Sequence, residues 1–199
     1  MPKAAHRAAL IPRKFYLAPP DQVAYKLLGK LLVRGERVGR IVEVEAYFGE
    51  ADPAAHSFAG KTARNSVLFG PPGYAYVYFI YGMYYCLNVS CEPDGQAGGV
   101  LFRALEPVSG LEAMAKSRGL ASHRPALLTS GPGRLCQAFD ITRDRDNGAD
   151  FTSRESDLQI QDDGFDPGEV LITPRIGITK DPDRLARYLL AGNPFVSKR

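Results

Sequence analysis

The chain has 199 residues, 45% of them hydrophobic, and sets 25 Lys and Arg against 22 Asp and Glu for a net charge of +3 and a pI near 8.7. That length and apolar content suffice for one substantial core and require no second domain, and the mildly basic balance permits a polyanionic partner without demanding one. No apolar run is long enough to span a bilayer, and the opening Met1-Pro2-Lys3-Ala4-Ala5-His6-Arg7 leads into no signal-peptide core, so a soluble, intracellular protein without membrane association is expected. Cys86, Cys91 and Cys136 are an odd number and argue against a disulfide framework. His6, His56 and His123 stand far apart with no Cys-x-x-Cys, so no metal site and no cofactor are expected.

Residues 1–14 are rich in Ala, Arg and Lys without a hydrophobic period and read as a flexible basic arm, leaving 15–199 as one domain. Pro19-Pro20-Asp21 opens a helix with Asp21 as N-cap and Val23, Ala24, Leu27 and Leu28 on its inner face, ending at Gly29. Strands follow at Leu31-Leu32-Val33 and from Gly39 to Tyr47, joined near Gly35. In the second strand Val42, Val44 and Ala46 point one way and Glu43, Glu45 and Tyr47 the other. Gly49 to Gly73 is a long stretch with turn residues throughout, and segments of that kind inside a small domain are usually functional.

Tyr76 to Asn88 alternates aromatic and apolar residues around Tyr81-Gly82-Met83. A two-residue loop would scatter the polar groups over both faces. A three-residue loop pairs Ile80 with Tyr84, Tyr78 with Cys86 and Tyr76 with Asn88, and gathers Val77, Phe79, Tyr85, Leu87 and Val89 on the core face. The hairpin then carries Tyr81 at its tip, where a large ring can act as a wedge. Tyr76 alone reads as an ordinary strand tyrosine; Tyr78 and Asn88 share a surface outside the core.

A strand from Gly99 to Leu105 follows, then a capping box at Ser109-Gly110-Leu111-Glu112 opening a short helix, and Ser130-Gly131-Pro132-Gly133-Arg134 leading into another through Phe139. Residues 140–155 are charged and loop-like. Strands at Leu158–Gln161 and Glu169–Ile178 precede a last helix, Pro182 to Leu190. Few long helices and several hairpins indicate an α+β fold: a single domain with a curved, mostly antiparallel sheet, flanking helices and a protruding β-hairpin.

Glu45 lies beside Tyr47 on a rigid strand, where an aromatic neighbour can partly desolvate a carboxylate and tune it as a general base. Glu43 is expected to be a solvated strand glutamate, and the residues alone give Glu45 no advantage over it. Arg103, mid-strand among apolar residues, needs a partner if buried, and Glu45 is the expected one; the bland alternative is an edge-strand arginine reaching water. His56 has no partner at metal-ligand spacing, and its interest is its place in the long loop after Glu45.

With these residues assembled, the chain resembles the alkyladenine (3-methyladenine) DNA glycosylase family. The resemblance runs in order through Gly39-Arg40-Ile41-Val42-Glu43-Val44-Glu45-Ala46-Tyr47, Asp52-Pro53-Ala54-Ala55-His56-Ser57, Thr62-Ala63-Arg64-Asn65, Pro72 to Tyr84, Leu87-Asn88-Val89, Arg103-Ala104-Leu105-Glu106-Pro107, Ser130 to Ala138, Pro174 to Ile178 and Gly192 to Ser197. It implies that Glu45 activates a water with Arg103 as its supporting cation. Tyr47, Ala55, His56 and Tyr78 would hold an extruded base, and Asn88 would crowd the edge where guanine carries its amino group. Tyr81 would fill the gap left in the duplex, and Thr62, Arg64, Asn65, Gly82 and Met83 would lie along the DNA backbone.

The implied partner is double-stranded DNA containing damaged bases, bound by a monomer that is cytoplasmic if bacterial and nuclear if eukaryotic. No lysine occupies the matching pocket motifs, so a Schiff-base lyase step is not expected. Ala63 stands where the family pattern has proline, and Phe58-Ala59 replaces a more polar stretch. Two rival readings remain at this point: a noncatalytic nucleic-acid-binding module that stacks bases on its aromatic face, and a nucleoside or glycoside hydrolase independent of DNA.

Overall fold

The computed structural model describes residues 8–120 and 124–197. Short alternating strands joined by tight turns pair with their chain neighbours and build one curled sheet. β2 (Leu31–Arg34) turns back into β3 (Arg37–Tyr47), with Leu31 opposite Arg40 and Arg34 opposite Arg37. Along the other edge of β3 runs the equally long β6 (Gly99–Ser109), which pairs with β5 (Tyr84–Ser90), and β5 pairs with β4 (Ala75–Ile80). At the far side β7 (Leu158–Asp162) joins β2, and β1 (Ala9–Leu10) joins β7. The order is β1-β7-β2-β3-β6-β5-β4, with β8 (Val170–Pro174) and β9 (Leu185–Leu190) attached through β9 to Glu43–Glu45 of β3, on the edge that β2 leaves free. Every pairing is antiparallel. Register shifts on both sides of Glu43 interrupt the β3–β6 ladder, the kind of irregularity that bends a long pair and re-aims its side chains.

Strand alternation divides the sheet. Val42, Val44, Ala46, Val77, Leu87, Val89, Phe102 and Ala104 enter the main core, with Val23, Ala24 and Leu27 of α1 (Pro20–Leu27) and Leu135, Cys136 and Ala138 of α4 (Pro132–Ala138) packed in the same cluster. The short helices α2 (Leu111–Ser117) and α3 (Pro125–Leu128) precede α4. The other face carries Glu43, Glu45, Tyr47, Tyr76, Tyr78, Cys86, Asn88 and Arg103, and there the functional groups meet.

The hairpin register is the one the side-chain pattern selects: Ile80 faces Tyr84, Tyr78 faces Cys86 and Tyr76 faces Asn88. Phe79, expected in the core, is instead exposed and packs its ring against Tyr85 at 5.0 Å. Several other expectations change. The last helix, Pro182 to Leu190, is strand β9: its backbone finds ladder partners in β3 and β8 on either side, and that pairing overrides local propensity. Within the expected basic arm, Ala9–Leu10 pairs with β7, Ile11 is buried and Arg13 bonds Pro72 O and Asp150 at 2.7 and 2.6 Å; residues 1–7 lie outside the described residues.

Inside the stretch expected as loop, α5 (Arg143–Asp146) forms behind Thr142, whose Oγ1 accepts from Arg145 N at 3.3 Å, and its Asp146 is buried against Arg34. The capping box is not made: Gly110 takes the N-cap of α2 in a left-handed conformation, and Ser109 Oγ donates to Glu36 O at 2.8 Å. Asp21 sits inside α1, after Pro19 at the N-cap. β8 stops at Pro174, and residues 176–178 beyond it line the site.

Candidate active site

Glu45 has no solvent exposure in the protein alone, yet it lines a cavity of about 430 Å³ together with Tyr47, Tyr78, Cys86, Leu101, Arg103 and the Gly131–Arg134 turn. Three groups fix the carboxylate. Ile176 N donates to Oε1 at 2.8 Å, Arg103 Nη1 stands 3.2 Å from the same oxygen, and the Tyr47 hydroxyl donates to Oε2 at 3.0 Å. A carboxylate offers about four lone-pair positions, so one remains for a donor arriving from the cavity. Burial, reinforced by the negative charge of Glu45, pushes the Tyr47 phenol far above its ordinary value and keeps it a proton donor to that carboxylate.

The expected pairing of Glu45 with Arg103 is therefore present, and Arg103 is buried rather than reaching water from an edge. Desolvation alone would weaken the Arg103 cation, but the charges of Glu45 and then Glu43 outweigh it and raise its basicity. Glu43 corrects the expectation of a solvated glutamate. It has no exposed surface and accepts from Arg103 Nε at 3.0 Å, Arg187 Nε at 2.6 Å, Ser197 N at 2.6 Å and Ser197 Oγ at 2.9 Å. The reason is β9, which covers the edge of β3 that a sequence read with a terminal helix leaves open.

A second chamber of about 150 Å³ adjoins the first through Tyr47, Tyr78, Ile80 and Ile178, which line both. Ala55, His56, Tyr76 and Asn88 are among its other walls. His56 meets Tyr78 edge-on with ring centroids 4.5 Å apart, and its Nδ1 lies 3.0 Å from the Tyr76 hydroxyl. Tyr76, read as an ordinary strand residue, is thus a buried member of the site, and Asn88 Nδ2 donates to its carbonyl at 3.1 Å. Burial, and then the charge of Arg64, hold the His56 imidazole below its ordinary value and favour its neutral form.

Residues that the sequence pattern did not single out tie these walls together. Asp52 forms a buried pair with Arg175, at 2.5 Å to Nη1 and 3.0 Å to Nη2, and accepts from Phe48 N and Ala54 N at 3.1 and 3.0 Å. Arg175 also bonds Ala46 O at 3.1 Å and lies 4.6 Å from the centre of the Tyr47 ring, so one ion pair joins the loop carrying Ala55 and His56 to the segment carrying Ile176 and Ile178. The signal that singled out Arg103, a charge among apolar residues, is present at Arg175 between Pro174 and Ile176.

Tyr81 is 82% exposed at the hairpin tip with φ 54°, followed by Gly82 at φ 69° and the exposed Met83. Thr62 and Arg64 are at the surface. Asn65 is different: it is 2% exposed, its Oδ1 accepts from Thr62 N at 2.6 Å, and its Nδ2 donates to His56 O and Gly60 O at 3.0 Å each. The Asn65 amide shapes the loop that presents His56, and offers no free donor to a phosphate. Among the described residues no cluster of three or more His, Cys, Asp or Glu side chains could hold a metal ion.

The family model for methylpurine-DNA glycosylase (MPG) matches residues 14–194. A relative from Koribacter versatilis, named "Putative 3-methyladenine DNA glycosylase", is 60% identical over 99% of this chain and 98% of its own length. Relatives of the same name from Alkaliphilus oremlandii and Burkholderia cenocepacia are 46% and 47% identical, each over 94% of this chain and over 98% and 91% of their own lengths. The chain belongs to the methylpurine-DNA glycosylase family and is a DNA glycosylase.

Proposed function

We propose that the protein is a monofunctional glycosylase that works as a monomer on double-stranded DNA, extrudes an alkylated purine and hydrolyses its N-glycosidic bond, starting base excision repair. The observation that carries this reading is the continuity of the two chambers, one holding a fixed, partly unsatisfied carboxylate and the other walled by aromatic rings. The glycosidic bond is out of reach in a stacked duplex, so the nucleotide must swing out, at a cost of roughly a few kcal/mol. Tyr81 at the hairpin tip occupies the vacated space and lowers that cost.

3-Methyladenine and 7-methylguanine are cationic in DNA, and a slot between Tyr47, His56 and Tyr78 favours a cation by about 0.5 to 2 kcal/mol. A neutral His56 adds no repulsion. The orientation of Asn88, set by its bond to Tyr76 O, crowds the base edge where guanine carries an amino group; 3-methyladenine, hypoxanthine and ethenoadenine lack that group, whereas 7-methylguanine keeps it and is favoured only by its positive charge. Glu45 takes a proton from a water whose oxygen bonds to the sugar C1′, while the electron pair of the C1′–N bond leaves with the base and neutralises its charge. Arg103, Ile176 N–H and Tyr47 O–H hold Glu45 in place for that transfer.

Methylated duplex oligonucleotides incubated with the protein should yield free methylpurine and an abasic strand. Glu45→Gln should slow release by about 10²- to 10⁴-fold while retaining affinity for abasic-site DNA, the range ascribed to a positioned general base. Undiminished release by that variant removes Glu45 from the chemistry, and absence of any base release by the parent protein overturns the reading as a whole.

A further inference from the structure

Glu43 and Glu45 lie two residues apart on β3, are both without exposed surface, and share a single arginine. Arg103 turns its Nε edge to Glu43 at 3.0 Å and its Nη1 to Glu45 at 3.2 Å. A guanidinium is planar and its donors are fixed relative to one another, so the atom that holds Nε also determines where Nη1 points. Glu43 is held in turn from two distant parts of the chain. Arg187 of β9 and Ser197 beyond it donate through side-chain and backbone groups at 2.6 to 2.9 Å, and Arg103 Nη2 lies 3.5 Å from Ser197 Oγ.

We infer that Glu43 is a positioning residue for the glycosylase reaction: clamped by Arg187 and Ser197, it fixes the rotation of Arg103 and thereby the water-activating geometry of Glu45. The inference rests on the glycosylase reading above. Charge makes the arrangement exacting. Two carboxylates face two guanidiniums, and the other groups around Glu45 are Tyr47 on its own strand, Cys86 on β5 and Arg175 after β8. Neutralising Glu43 leaves Arg103 and Arg187 opposite Glu45 alone. Arg103 then keeps only a neutral acceptor at Nε and is repelled by Arg187, so it can close over Glu45 and occupy the position the water needs.

The test is the single-turnover rate of base release set beside affinity for abasic-site DNA and the melting temperature. Glu43→Gln should lower the rate on the order of 100-fold, the scale of an ångström misplacement at a reacting group, with abasic-site affinity retained. Ser197→Ala, which removes one of the side-chain donors to Glu43 but keeps the backbone donor, should lower the rate less and leave folding intact. Adding Arg187→Gln to Glu43→Gln restores one anion to one cation and should recover much of the lost rate, since the amide carbonyl introduced by Glu43→Gln can still accept from Arg103 Nε.

A folded Glu43→Gln protein that releases base at the parent's rate overturns the inference while leaving the glycosylase reading untouched. A parent protein that releases no base overturns both. Where Glu43→Gln does not fold, Ser197→Ala decides: a slower rate at unchanged abasic-site affinity supports the clamp, and an unchanged rate ends it.

Discussion

The carboxylate side of the site and the exposed hairpin tip, whose Tyr81 lines the same cavity, are built on opposite terms. Around Glu45 the charged groups are buried and paired: Glu43, Arg103, Arg175 and Arg187 are each under a tenth exposed, and their partners come from strands and loops far apart in the chain. At the tip, Tyr81 and Met83 are 82% and 62% exposed, and the backbone runs through two left-handed residues in succession. On the proposed mechanism, proton transfer falls to the part of the molecule that cannot move without breaking ion pairs. Contact with a deformable duplex falls, on the same reading, to a part whose side chains cost the fold little to alter. Changes on the first side should therefore damage stability and chemistry together, and changes on the second should damage function with little loss of stability.

The largest stability effect is expected at Asp52. Asp52→Asn leaves the Arg175 guanidinium buried without its counter-charge, a class of change that costs about 3–5 kcal/mol, and it loosens Ile176 and His56 together. Chemical denaturation should show that loss, and a variant as stable as the parent would mean that the carboxylate side is less rigid than its ion pairs suggest.

Tyr81→Ala should leave the denaturation midpoint in place and slow base release from duplex DNA. A wedge that recovers even about 1.4 kcal/mol of the unstacking cost is worth roughly tenfold in rate. Release from a single-stranded substrate, which needs no wedge, should be spared. Equal losses on both substrates would give Tyr81 a role other than filling the duplex.

Gly82→Ala isolates the tip's backbone. At φ 69° a side chain is strained by about 1–2 kcal/mol, although nothing within 4 Å would meet the new Cβ. The expected result is a small stability loss with a larger effect on duplex turnover, read by melting and release assays on the same preparation.

The smallest effect concerns His56, on the wall between the two regions. Its folded-state value lies below the ordinary 6.5, so the unfolded chain takes up a proton as pH falls through about 6.5 while the folded chain does not yet do so. Stability should decline from there downward and be unaffected above. Melting temperatures recorded between about pH 5 and 8 should show that slope, and His56→Gln should flatten it.

Period-two alternation was enough to find the hairpin register, to separate Glu43, Glu45 and Tyr47 from Val42, Val44 and Ala46, and to place Tyr81 at a turn, because each depends only on neighbouring residues and the pleat of a strand. The isolation of Arg103 among apolar residues likewise pointed to its partner. Failures came where local preference met a long-range partner. Leu185–Leu190 has the composition of a helix and becomes a strand because β3 and β8 offer it two ladders. Glu43 resembles any solvent-facing glutamate until β9 covers it, and Asn65 resembles a surface amide until the loop closes around it.

Arg187 and Ser197 stand 144 and 154 residues from the carboxylate they hold, and Arg175 stands 123 from Asp52. Such meetings follow from the order in which strands join the sheet. That order is set by burying one continuous apolar face, a property of the whole chain that no single stretch of it displays.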